Sequence, residues 1–405
     1  MIKFFKNIGP GPLVAAAFIG PGTVTVCTLA GVNFGFALLW AMVLSIFATI
    51  VLQEMAARLG IVSQKGLSEI IREEIKHPIV KGIALLLIVS AIVIGNAAYE
   101  AGNISGGALG LEAIVGDVTW KIGQLNLNII SLIIGVIAFV LLYIGNYKVL
   151  EKAFVFLVIL MSVAFITTAI LTKPNILDIL KGIVIPVAPE DGILTVIALI
   201  GTTVVPYNLF LHASLAKTKW KSKDDLPIAK KDTLVAVILG GTVSMCIIIA
   251  ASAIQKQTIT NTADLALGLE PLFGSFAKYF LAIGLFAAGI TSAITAPLAA
   301  AMAANGILGW KADLKDYRFK AVWMVILGVG SLVATLGIKP IVIIQFAQVT
   351  NGVLLPVIAS FLLYIMNKKA VLGKHTNTLF QNILGITVIL VTLFISFRSM
   401  NSVFH

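Results

Sequence analysis

Ten stretches of this chain contain no Lys, Arg, Asp or Glu: 7–53, 82–99, 122–147, 153–172, 192–216, 233–255, 279–310, 321–338, 340–367 and 376–397. A helix needs about 20 largely apolar residues to cross the hydrocarbon of a bilayer. The first stretch is long enough for two such helices and divides near Gly31-Val32-Asn33-Phe34-Gly35. The pattern predicts an all-α polytopic membrane protein with about eleven transmembrane helices. Period-two alternation, the mark of a membrane β-barrel, is absent from these runs. Composition agrees: 59% of the 405 residues are hydrophobic and 12% charged, against about 25% charged in a soluble domain. That excludes a soluble globular protein and a disordered chain. Cys27 and Cys246 both lie in apolar runs, which excludes a disulfide scaffold. No cleavable signal is evident, because the first apolar run continues into a second span.

The basic residues set an expected orientation. With the N-terminus cytoplasmic, the inner segments hold 22 of the 29 Lys and Arg. This places the C-terminus outside and fits the inner (plasma) membrane of a bacterium. The net charge of +11 is thus mostly topological, so no nucleic-acid partner is expected. The partners expected are the lipid bilayer and a small solute. Segment 64–76 reads as a short amphipathic surface helix on the inner side.

Two spans carry mid-membrane breaks. The first reads Gly20-Pro21-Gly22-Thr23 after an apolar half-turn, and the sixth reads Gly201-Thr202-Thr203-Val204-Val205-Pro206-Tyr207-Asn208. Proline removes a backbone donor and glycine adds freedom. Irregular backbone at this depth survives only where protein or a water-filled cavity satisfies it. The sixth span opens a second set of five, and because five is odd the second set enters with opposite orientation. Interrupted helices at matching places in inverted repeats point to a transporter's central site. One transport domain is expected over 1–365, with repeat one at about 8–173 and repeat two at about 190–367, followed by an additional helix at 376–400. Two unrelated proline kinks are the plainer alternative.

Chemistry-bearing side chains inside the spans are few. Glu100 is the one acid deep in a span, and Asn96, Glu100, Asn103 and Gly107 share a helix face. An intramembrane acid is a functional candidate by default. Glu100 reads either as a ligand for substrate or proton in the outer half of the pathway, or as an interface acid solvated or capped by Asn103. Glu54 and Arg58, four apart, read as a surface pair. Thr291, Ser292 and Thr295 form a hydroxyl cluster that either binds Na⁺ or bonds its own backbone. His212 reads as a packed residue more readily than a ligand. No metalloprotease motif or nucleotide loop is present, so an enzyme is not expected, nor is a bound cofactor.

The broken spans resemble those of the Nramp (natural resistance-associated macrophage protein) family of divalent-metal transporters. Gly20-Pro21-Gly22-Thr23 stands where that family has DPGN. GTTVVPYNLFLHASL, Gly201 to Leu215, stands where it has a GATVMPHNLYLHS-like stretch. Residues 51–69, the eighth span's AIGLFAAGITSAIT and the tenth span's AQVTNGVLLP are similar too. The resemblance covers roughly residues 8–365. It implies the 5+5 inverted-repeat fold of the amino-acid/polyamine/cation superfamily, with one further helix at the end. It also implies a ligand set that this chain largely lacks. The family's Asp falls on Gly20, its Asn on Thr23, its Met on Val205, its backbone-carbonyl position on Thr202, and its first sixth-span His on Tyr207. Its third-span acids fall near Val89 and Ile92. Gln348 and His212 match family residues.

These departures leave the metal ligands unknown and three functions open. The first is a carrier of divalent cations with altered selectivity, no longer tuned to soft transition metals. The second is the same scaffold turned to a small anion or carboxylate-bearing solute, drawn by unopposed helix N-termini. The third is a non-transporting membrane sensor. Alternating access is expected around a site lined by Gly20, Thr23, Thr202, Val205, Tyr207, Asn208 and Gln348.

Overall fold

The structure is a computed structural model that describes residues 19–404 except 124, 146–147, 188, 255–258 and 311–315. The first half of the first span, together with Lys3, Lys6, Lys256, Lys311 and Lys315 of the orientation argument, lies outside the described residues. The second half of that span is α1, Pro21–Phe34. Gly35, at φ +57°, turns the chain into α2, Leu39–Ser63, as the Gly31–Gly35 division predicted. Then come α3, Leu67–Glu74, and α4, Pro78–Val115. A hairpin follows, β1 Thr119–Ile122 and β2 Leu125–Asn128, before α5, Ile129–Ile144, and α6, Lys148–Leu171. A surface helix α7, Ile176–Val184, joins the two halves.

The second half opens with α8, Ile193–Thr203, and α9, Pro206–Lys219. These are followed by α10, Leu226–Ala251, α11, Ala277–Leu308, α12, Tyr317–Thr335, α13, Pro340–Met366, and α14, Leu379–Phe404. Among the described residues, nine helical stretches are long and apolar enough to cross a membrane. With α1 and the shorter α5, they account for the eleven expected spans and their inverted 5+5 order. Large apolar side chains such as Leu86, Ile94, Leu132, Val136, Leu390 and Phe394 are exposed on the outside of the bundle, as lipid-facing surface must be.

α4 runs through the middle of the bundle and packs on α11, α12 and α13. Close approach depends on small residues, as in membrane helix packing generally. A Cβ on Gly289 of α11 would lie 2.6 Å from the Cα of Gly107 on α4, so only glycine lets these backbones meet. Several threonines bond their own helix: Thr49, Thr168, Thr233 and Thr392 all donate to the carbonyl four residues back.

Three expectations need correction. Charge-free run 122–147 is not one helix. Ile122 ends β1 and Leu125–Asn128 form β2, with Gly123 at φ +61° between them, and Asn128, capping Ser131 N–H at 2.9 Å, delays the helix start to Ile129.

Glu54 and Arg58 are not a surface pair. Their side chains are only 18% and 9% exposed. Arg58 binds both Glu54 oxygens at 3.0 Å and donates to His375 O at 2.8 Å and Asn377 Oδ1 at 2.7 Å. It thereby ties α2 to the turn before α14.

The amphipathic segment is helical only over α3. Its apolar face, Leu67, Ile70 and Ile71, is buried within the protein. Glu69 caps the Gly66 N–H at 2.9 Å and meets Lys217 of α9 at 3.3 Å.

Two predictions follow from these contacts. Arg58→Leu leaves Glu54 without its cation and His375 O without its donor, and should cost ~3 kcal/mol. A lowered thermal midpoint of the detergent-solubilised protein checks this, and an unchanged midpoint would contradict it. For Glu69, burial opposes ionisation, but the Gly66 N–H and Lys217 outweigh it and hold its pKa below the ordinary value. The stabilisation is then fully present above the unfolded carboxylate pKa and is lost as pH falls through the lower folded value. Hydrogen exchange in α3 should accelerate only in acid below the usual carboxylate range. Acceleration beginning near neutral pH would show that Glu69 does not hold the helix.

Candidate functional site

The sixth span is broken as its sequence requires. α8 stops at Thr203, and Val204 (φ −100°, ψ 73°) and Val205 (φ −75°, ψ 122°) are non-helical. Pro206 then opens α9. Having no N–H, it cannot donate to the Thr202 carbonyl four residues back. Pro21 opens α1 in the same way, after Gly20 in an extended conformation (φ −90°, ψ 178°). Two helix N-termini, each with proline in the first position, therefore lie at mid-bundle, one from each half.

The breaks are joined side chain to side chain. Thr23 Oγ1 and Thr202 Oγ1 are 2.8 Å apart, a hydrogen bond across 179 residues of sequence. Gln348 of α13 lies against both halves. Its side chain fills the place a Cβ on Gly22 would occupy, and its carbonyl abuts Gly201, where a Cβ would collide with it. Gly20 faces Ser292 of α11 and Tyr99 of α4: a Cβ there would lie 3.3 Å from Ser292 Oγ and 3.8 Å from the Tyr99 hydroxyl. The Tyr99 ring packs on Tyr207, centroids 5.4 Å apart. Thr23, Tyr99, Thr202, Val205, Tyr207, Asn208 and Gln348 are each no more than 3% exposed. Among the described residues, Asn208 Nδ2 and Gln348 Oε1 have no hydrogen-bond partner, an expensive state for buried amide groups.

Gly20, Thr23, Thr202, Gln348 and Tyr207 are thus brought to one place around the breaks, with Val205 and Asn208 on the loop and first turn of α9. Ser292 belongs to the group, but Thr291 and Thr295 do not. Those two donate to Ala287 O at 2.7 Å and Thr291 O at 2.8 Å, bonding their own helix. His212 is buried and donates through Nδ1 to Gln53 of α2, and its Nε2 has no partner among the described residues. Asn96 is buried and donates to Ile92 O at 2.6 Å.

Glu100 corrects one of the two readings given above. It is fully buried, so it is not solvated at an interface. Asn103 donates to its Oε2 at 3.4 Å, and Oε1 has no partner among the described residues. Its side chain packs against Gly330 of α12, one helix position round from Tyr99 and off the line of the breaks. Tyr99 is the site residue that sequence reasoning passed over. Its signal was a lone aromatic next to the buried acid in an otherwise aliphatic span.

Chemically, the group offers hydroxyls, amides, phenols and backbone carbonyls around two positive helix ends. It contains no carboxylate, thiolate or thioether. Among the described residues, no cluster of three or more His, Cys, Asp or Glu is placed to hold a metal ion.

Comparison with known proteins matches this architecture. The family model "Natural resistance-associated macrophage protein-like" (Nramp) matches residues 11–402. The divalent metal cation transporter MntH of Bacillus subtilis is 26% identical over 380 residues, covering 91% of this chain and 86% of that protein. A homologous MntH of Klebsiella pneumoniae is 28% identical over 382 residues, 92% of this chain and 88% of that protein. Among solved structures, the Eremococcus coleocola manganese transporter superposes with a TM-score of 0.76 at 22% identity, covering 98% of this chain and 87% of that one. Mhp1, a nucleobase-cation-symport-1 family transporter, shares the fold more distantly, with a TM-score of 0.60 at 12% identity over 98% of this chain and 92% of that one. On the full-length family match and the broken-helix pair it contains, this chain belongs to the Nramp family of integral membrane transporters.

Proposed function

We propose that the chain is a secondary transporter that moves a divalent metal cation by alternating access, with a site not tuned to soft transition metals. One observation carries this reading: the residues gathered at the paired breaks are Thr23, Thr202, Gln348, Ser292 and backbone, without a carboxylate or sulfur ligand. Oxygen donors of this kind suit hard cations such as Mg²⁺ and Ca²⁺, and Mn²⁺ among transition metals. Neutral donors replace hydration poorly, so the cargo keeps part of its water shell and binds weakly. The names of the relatives supply the class, divalent metal cation. The Thr23–Thr202 bond between the two halves, with the near-complete burial of the site, fits an occluded stage of the cycle. Parting the breaks to either side would expose it.

A second reading rests on its own observation. Asn208 Nδ2, an unpartnered buried donor, sits in the first turn of α9 beside a positive helix end. A small anion or a carboxylate-bearing solute would satisfy both.

Calorimetric titration of the purified protein with Mg²⁺, Ca²⁺ and Mn²⁺ separates these readings. The cation reading expects weak saturable binding with little preference for Mn²⁺. Silence for all three up to millimolar concentration would contradict it. Gln348→Ala should weaken that binding by about tenfold, ~1.4 kcal/mol, and unchanged affinity would remove Gln348 from the site. Gly20 has backbone angles open to any residue, and a Cβ there requires the Ser292 hydroxyl to give by a few tenths of an ångström; Gly20→Asp should tighten Mn²⁺ by at least about tenfold. No gain would show that position 20 does not face the cargo. Glu100→Gln should slow uptake into proteoliposomes while leaving the fold intact, since Asn103 can still donate to the amide oxygen. Unchanged uptake would make Glu100 a packing residue of α4 and α12.

A further inference from the structure

The hairpin between the third and fourth spans is amphipathic in an unusual sense. Its register pairs Trp120 with Leu127 and Ile122 with Leu125. Directly opposed residues project to the same side of a two-stranded sheet, and residues two apart on a strand share a face. One face therefore carries only Trp120, Ile122, Leu125 and Leu127. The other carries Thr119, Lys121, Asn126 and Asn128. The apolar face is open: Trp120 is 63% exposed, Ile122 51% and Leu125 55%, with Leu127 half-buried. Of the polar residues, Thr119, Lys121 and Asn126 are exposed as well, and Asn128 is buried. Asn126 places its backbone carbonyl against Gly337 beyond α12, and Asn128 donates to Glu112 of α4 at 2.6 Å. An open face made only of apolar side chains is unsuited to an aqueous loop, and a two-stranded hairpin is barely stable in water on its own.

We propose that this hairpin is a membrane-interface anchor, its Trp120–Ile122–Leu125–Leu127 face seated in the boundary between lipid headgroups and acyl chains. Three observations select lipid as the occupant. The hairpin is joined directly to helices that expose apolar side chains to hydrocarbon. α5 follows Asn128 directly and exposes Leu132, Ile133 and Val136, and the end of α4 exposes Ile114 and Val115. Lys121, the hairpin's single charge, is on the opposite face, and tryptophan is the residue that favours the headgroup level. The patch is also small. Four side chains supply far less than the ~800 Å² per partner that a stable protein–protein contact buries. Seating the hairpin would fix the level of α4 and α5 in the bilayer and so the height of Tyr99 and Glu100, which α4 carries.

The test compares the native protein with Trp120→Phe in lipid nanodiscs, so that the difference in emission reports Trp120 while the other four tryptophans cancel. A nitroxide near the lipid headgroup should remove most of the difference emission. A nitroxide deep in the acyl chain should remove less, and aqueous iodide should remove little. Emission quenched by iodide and indifferent to both nitroxides would place the hairpin in water and overturn the proposal. Emission protected from all three quenchers would mean that protein covers the face, a second copy or another partner, and would overturn it equally.

Discussion

Hydrocarbon offers no partner to a free N–H or C=O, so a helix broken at mid-membrane must be covered by protein wherever its backbone is open. Most of this molecule's architecture answers that demand. The breaks at Gly20-Pro21 and Val204-Val205-Pro206 lie side by side, and the nearby helices supply the cover. α13 presses the Gln348 side chain and carbonyl onto Gly22 and Gly201. α4 brings Tyr99 and α11 brings Ser292 to the open end of α1. These approaches are possible because glycines stand at the crossing points. Larger residues at Gly201 or Gly289 would push the helices apart and expose the backbone they now protect.

The same constraint shapes the chemistry. A site built to cover open backbone already holds carbonyls and helix ends, and side chains decide what it selects. Here they are threonines, a serine, a glutamine and two tyrosines. Each is uncharged, so a cation entering would be held by dipoles alone. Such a site discriminates by size and hydration more than by ligand softness. The orphaned Gln348 Oε1 and Asn208 Nδ2 are an acceptor and a donor of equal burial. Together they make the site a dipolar cradle in which the geometry of the cargo matters as much as its charge.

Much of this was legible in the sequence because membrane insertion writes long, plain signals. Charge-free runs marked the spans, and the two prolines marked the breaks to the residue. Thr23, Thr202, Tyr207 and Gln348 gathered as expected because their neighbours are dictated by the fold that the breaks imply. Tertiary facts were not legible. Glu54 and Arg58 looked like a surface pair because i,i+4 spacing does not reveal that the turn at His375–Asn377 covers them. Thr291 and Thr295 looked like Ser292, and only the helix phase separates the residue facing Gly20 from the two bonding their own backbone. The hairpin at 119–128 was hidden because its apolar residues extend the hydrophobic run of α5. Tyr99 was overshadowed by the acid next to it.

The central claim is that the site at the paired breaks holds a cation with neutral oxygen donors. Selectivity measured by competition tests it most directly: uptake of Mn²⁺ into proteoliposomes against rising Mg²⁺, and separately against rising Cd²⁺, a soft ion. The account predicts saturable Mn²⁺ uptake that Mg²⁺ suppresses at least as well as Cd²⁺ does. Uptake that ignores a large excess of Mg²⁺ and yields to trace Cd²⁺ would contradict it, because only a soft or anionic ligand set produces that order.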